Sequence, residues 1–188
     1  MKNLIQKLNE LEEKLKSFTP DPKYPHDSFI KIALEESIVA AKEGNYGVGA
    51  ILVDKNGKIV LKGHNKLFKP YSRSDLHAEM DLLNQFEDKF KGEKSLKDFT
   101  LYVPFDPCPM CLCRLIFVGI SRVYFPIFDT DGGGVQILNK LPLAWKKMAK
   151  NCKFELVPCS LELKKIADFL LNKTWPEDQD LWRKIFNF

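Results

Sequence analysis

Two short stretches, HAE at 77–79 and CPMC at 108–111, hold four side chains whose types and spacing could do chemistry together. Cys108 and Cys111 stand three apart, so at the start of a helix both reach one metal ion, and the helix N-terminus favours their thiolate forms. His77 adds a nitrogen ligand if the fold brings its helix beside theirs. Three nitrogen and sulfur ligands suit zinc and leave a fourth tetrahedral position for water, the pattern of a catalytic site. Zinc lowers the pKa of such a water from about 15.7 to about 7, giving a nucleophile at neutral pH. Glu79 lies about 200° around a regular helix from His77, badly placed to chelate the same ion and therefore free to carry protons.

The surrounding chain reads as alternating helices and strands. Leu4, Leu8, Leu11, Leu15 and Phe18 mark one face of an N-terminal amphipathic helix over 1–18, and TPDPKYP makes 19–27 a linker. Asp27 or Ser28 can cap a second helix whose buried stripe is Ile30, Ala33, Leu34, Ile38 and Ala41, with Gly44 ending it. VGAILV suits a central strand, Asn56-Gly57 a hairpin turn and KIVLKG the returning strand. A helix over 75–90, strand FTLYV, helix CPMCLCRLIFV, strands RVYF and KFELV, and a helix from Ser160 follow. The expected fold class is α/β, a three-layer α/β/α arrangement on a mixed central sheet of about five strands. Successive right-handed crossovers would put the HAE and CPMC helices on one sheet face, with their N-termini in one crevice. DTDGGG reads as a flexible loop and 175–188 as a C-terminal helical extension.

Composition narrows the function classes. The 188 residues, 45% hydrophobic, suffice for one domain, and no run of eighteen apolar residues suggests a membrane span or an export signal, so a soluble cytoplasmic protein is expected. Five cysteines then read as thiols or metal ligands. A net charge of +4 tolerates phosphate-bearing ligands without demanding nucleic acid. A redox CPxC reading leaves HAE without a task. A closed zinc site of Cys108, Cys111, Cys152 and Cys159 is disfavoured, because the last two are separated by six residues across a strand. The lysines at 146, 147, 150 and 153 read as a solvated face.

HAE followed by PCPMC resembles the zinc-dependent cytidine and deoxycytidylate deaminase superfamily, in the branch with guanine deaminase, yeast-type cytosine deaminase and tRNA adenosine deaminase. The resemblance runs over 28–170 and includes VGAILV, GHN, HAEM, PCPMC and SRVYF in the family's order. It implies a zinc deaminase domain over 28–174, with Zn2+ held by His77, Cys108 and Cys111, and Glu79 as proton shuttle. It also implies that Asn65 and the backbone of Ala78 hold the substrate base, that the Pro107 carbonyl faces the departing ammonia, and that Asp129 recognises substrate. The implied activity is that of a hydrolase removing the amino group of a nucleobase, as free base, nucleoside or nucleotide, in a homodimer. Deamination of tRNA adenosine is the alternative, not favoured because no extended phosphate-tracking surface stands out in the sequence. A non-catalytic zinc domain binding a nucleotide or protein is the alternative of another class. Two stretches depart from the family: Pro104, Phe105 and Asp106 precede Pro107 and Cys108 where it has T-L-E, and Ser74, Asp75 and Leu76 stand before the histidine where it has D-P-T-A.

Overall fold

A computed structural model describes residues 2–92 and 95–175. The first strand, β1 (Gly49–Asp54), lies inside the sheet and is buried because its side chains are apolar in both directions. Ala50 and Leu52 face one layer of helices, and Ile51 and Val53 the other. The turn after it is tight: Gly57 takes φ +79°, and the Asp54 carboxylate accepts the N–H groups of Asn56 and Lys58 at 2.9 Å. The chain returns as β2 (Ile59–His64), antiparallel to β1.

The sheet has five strands in the order β2-β1-β3-β4-β5, completed by β3 (Phe99–Tyr102), β4 (Arg122–Phe125) and β5 (Lys153–Leu156). It is mixed, as expected, with β1 antiparallel to both neighbours and β3, β4 and β5 parallel. The strand preceding the HAE helix is therefore not adjacent to the strand following it, because β1 lies between them. Helices α3 (Ala78–Lys89) and α4 (Pro109–Phe117) nevertheless cover the same face, where Leu82, Leu83 and Phe86 meet Leu112, Leu115 and Ile116 over Leu101 and Val123. Gly63 lets α3 approach: a Cβ there would stand 3.0 Å from Leu82 and 3.1 Å from the Ala78 carbonyl.

The opposite face carries α1 (Lys2–Ser17), α2 (Asp27–Lys42) and α6 (Leu161–Lys173). Leu8, Leu11 and Leu15 of α1 share one core with Leu34, Ile38, Ile166 and Leu170, so the first helix packs as part of this layer. Asp27 does not cap its own helix. His26 takes that position, and the Asp27 carboxylate accepts the Ser160 N–H at 3.0 Å, tying the starts of α2 and α6 together. Between β4 and β5 the chain forms a 3-10 turn (Val135–Lys140) and α5 (Leu143–Ala149), on which Lys146 and Lys147 are exposed. Among the described residues no helix is long and apolar enough to cross a membrane. The expected C-terminal extension lies outside the described residues except for Trp175, which packs edge-on against Tyr46 and Phe68 at 5.3 Å.

Candidate active site

The HAE and CPMC helices begin later than their sequence patterns suggest. His77 and Cys108 are the N-cap residues of α3 and α4, each with extended backbone at ψ 164°. An N-cap residue is only half in the helix, so its side chain projects off the helix end. Two such ends side by side bring the ligands together: Cys108 Sγ lies 3.5 Å from His77 Nδ1, and the ligand atoms of His77, Cys108 and Cys111 all lie within 4.8 Å of one another. With usual Zn–S and Zn–N bond lengths, the sulfur–nitrogen edge of a tetrahedral site is about 3.6 Å, so these residues fit zinc. Among the described residues they are the group of His, Cys, Asp or Glu placed to hold a metal. The four-cysteine arrangement does not form, because Cys152 packs in the core on one sheet face and Cys159 against the core on the other.

The charges are coupled. A hydrogen bond with the Cys111 thiol, followed by one with His77, pulls Cys108 down to about 4, and the same Cys108 sulfur raises His77. Cys111 is pushed well up, since its proton serves Cys108 and its sulfur is buried. Without a cation the pair therefore releases one proton readily and resists losing the second; a divalent ion supplies the charge for both thiolates.

Glu79 is in the first turn of α3, 4% exposed, and its carboxyl is raised by burial and then by the Cys108 thiolate. Because His77 precedes the helix, the two side chains are not held about 200° apart by regular helix geometry, and Glu79 stands beside the ligands. With His77 and Cys108 it lines a cavity of about 280 Å³.

Asn65 is 2% exposed and also lines this cavity. Its side-chain oxygen accepts the Leu67 N–H at 2.9 Å, so its amide nitrogen is the atom left to donate to a ligand. Ala78 packs its methyl in the core, while its backbone N–H belongs to the first turn of α3, where helix amides lack intrahelical acceptors. Asp129 lines the cavity and uses Oδ1 to hold the N–H groups of Asp131 at 3.1 Å and Gly132 at 2.9 Å. Asp129 thus starts the 129–134 loop and also stands in the cavity wall. Pro107 stands between the cavity-lining residues Asp106 and Cys108 without itself lining the cavity, and its carbonyl accepts the Gly134 N–H at 2.7 Å.

Several lining residues were not legible from the motifs. Tyr46 and Trp175 form an aromatic wall contributed from distant parts of the chain, and Ser74 belongs to the loop before α3. Burial, and then the Asp129 carboxylate, raise the Tyr46 hydroxyl's pKa. Asp106, 5% exposed, also lines the cavity; its only sequence signal is that it stands at a departure from the family pattern.

Residues 23–127 match the family model of the cytidine and deoxycytidylate deaminase zinc-binding region. The chain belongs to this deaminase family. Zinc is accordingly its cofactor, with His77, Cys108 and Cys111 as the site that fits it. The chain is 37% identical over 105 residues to the tRNA-specific adenosine deaminase of Bacillus subtilis, covering 56% of this chain and 63% of that protein. It therefore spans less than two thirds of that relative. It is 36% identical to the tRNA-specific adenosine deaminase of Aquifex aeolicus, over 57% of this chain and 69% of that one. It is 29% identical to the cytosine deaminase of Candida albicans, over 50% of this chain and 61% of that one. Two solved structures share its fold. One, from a study of A-to-I editing by tRNA:A34 deaminases, has a TM-score of 0.61 at 22% identity, over 77% of this chain and 99% of the other. The guanine deaminase of Nitrosomonas europaea has a TM-score of 0.61 at 18% identity, over 83% of this chain and 85% of the other.

Proposed function

We propose that this deaminase converts adenosine to inosine in tRNA by hydrolysis. The observation that carries the reaction type is a buried carboxylate, Glu79, beside three converging zinc ligands in one cavity. Support for tRNA, over the small substrates expected from the sequence, comes from the Bacillus and Aquifex relatives. Zinc, when bound, polarises a water so that it gives up a proton near neutral pH. Glu79 would accept that proton and deliver it to the ring nitrogen as the oxygen bonds to the amino-bearing carbon, then take the oxygen's remaining proton and pass it to the amine, which leaves as ammonia when its bond to carbon breaks. The Asn65 amide nitrogen and the free N–H of Ala78 orient the base, and Asp129 meets it from the loop side.

A specific feature favours the second reading, a free base, nucleoside or nucleotide. Two cations next to cavity-lining residues are paired: Lys66 with Asp81 at 2.8 Å and Arg73 with Asp75 at 2.7 Å. Asp106 and Asp129 line the cavity itself. Such a rim attracts phosphates weakly. Ammonia release measured on tRNA and on a panel of bases, nucleosides and nucleotides separates the two. The tRNA reading expects inosine in tRNA and a turnover that falls by orders of magnitude between about 50 and 200 mM salt. Turnover confined to small substrates would replace it with the second reading. A homodimer is the expected assembly, supported by the exposed Phe117 (72%) and Leu143 (69%); sedimentation at monomer mass would oppose it.

A further inference from the structure

Asp106 is a buried carboxylate that the proposed chemistry leaves without a role. It precedes Cys108 by two residues, and its partners are backbone groups: one oxygen accepts the Asp129 N–H and the other the Val135 N–H at 3.4 Å. A single side chain thus grips both ends of the 129–135 segment. The backbone around it adds to the attachment. Asp106 N–H donates to Ile127 O at 3.2 Å, Phe105 and Ile127 form a parallel bridge, and Gly134 N–H donates to Pro107 O at 2.7 Å.

The glycines of this segment give a second, independent observation. None of Gly132, Gly133 and Gly134 has a left-handed φ, so backbone freedom is not what the loop requires of them. Contact distance is. A Cβ on Gly133 would lie closer than 3.0 Å to both Asp106 carboxylate oxygens and to the Asp129 carbonyl. A Cβ on Gly134 would lie 2.8 Å from the Pro107 carbonyl and 2.9 Å from the Pro109 nitrogen. The segment expected from its sequence to be flexible lies with its backbone directly against the turn that presents the first cysteine ligand.

We propose that Asp106 is a positioning residue that locks residues 129–135 onto the Cys108 turn, making Asp129 and Gly132 a fixed wall of the substrate cavity rather than a moving flap. What the wall binds rests on the deaminase reading; the latch itself does not. Asparagine at 106 keeps one acceptor but turns an NH2 toward a backbone N–H, so one of the two grips is lost. Alanine at 133 displaces the same contact without altering Asp106.

The test compares the zinc-loaded full chain with its Asp106→Asn and Gly133→Ala variants by hydrogen exchange and by steady-state kinetics on whichever substrate the wild type turns over. Both variants should exchange the amides of 129–135 about tenfold faster, with KM raised about tenfold, kcat within about threefold and zinc still at one equivalent. If Asp106→Asn fails to fold, Gly133→Ala decides. Wild-type amides of 129–135 exchanging as fast as an unprotected loop would overturn the latch, as would variants with unchanged exchange, or a fall in kcat with KM unmoved. If the wild type deaminates no nucleobase, the functional reading fails while the exchange comparison still decides the latch.

Discussion

Glu79 is separable from the metal site it serves. It is not among the three converging ligands, so Glu79→Ala should retain one equivalent of zinc while kcat falls by about 10² to 10⁴. Metal content measured beside ammonia release checks this, and wild-type turnover in the variant would remove Glu79 from the chemistry. At this scale the sequence was informative where function is compressed into short spacings: HAE and CPMC name their ligands because two helix starts carry them. It was uninformative where the cavity is assembled through space. Tyr46 and Trp175 meet only because the end of α6 is pinned to the 45–47 segment, where Thr174 Oγ1 accepts the Gly47 N–H at 2.8 Å and the Tyr46 hydroxyl donates to the Leu171 carbonyl at 3.0 Å. No local periodicity records such a contact.

Among the elements, the end of β2 matters most for the site, since Asn65 follows it directly. His64 fixes that end to α2: its ring nitrogens lie 3.4 Å from Glu36 and 3.1 Å from Glu43. The Glu36 hydrogen bond raises His64 above its ordinary pKa, against the opposing pull of burial. Burial is also the largest influence on Glu36, but the His64 and Lys62 partners outweigh it and leave that carboxylate lowered, so it is charged throughout the window concerned. A histidine whose folded pKa is raised gives stability that is complete below about 6.5 and is lost as pH rises through the folded value. His64→Gln should therefore cost less than about 1 kcal/mol near pH 5.5, the ring being only partly buried and its Glu43 partner exposed and screened, and nearly nothing near pH 9. Chemical denaturation at the two pH values checks the difference; an equal cost at both would place the contribution in packing instead. The hairpin, the helix stripes and the strand order's mixed character were readable from periodicity and turn residues. Helix starts were less so: the sequence pattern around HAE suggests a start near residue 75, whereas the helix begins at Ala78 with His77 as its N-cap, and that shift is what frees the His77 side chain to act as a ligand.

Across the whole molecule, the metal site depends on β1. By pairing antiparallel with both β2 and β3, it separates the strands that lead into α3 and α4, yet both helices still pack on one face with their N-caps adjacent. Lone apolar runs could not reveal that pairing, since a buried strand reads alike whichever way its neighbours point. The convergence of one imidazole from α3 and two sulfurs from α4 is thus a property of the assembled sheet and its helical layer, and it can be read at the metal itself. Zinc-edge X-ray absorption on the purified wild-type chain is the most direct measurement. One equivalent of zinc with two sulfur neighbours at about 2.3 Å and lighter neighbours at about 2.0–2.1 Å is the predicted result. A chain that holds no zinc, or zinc with four sulfur neighbours or none, would contradict the account.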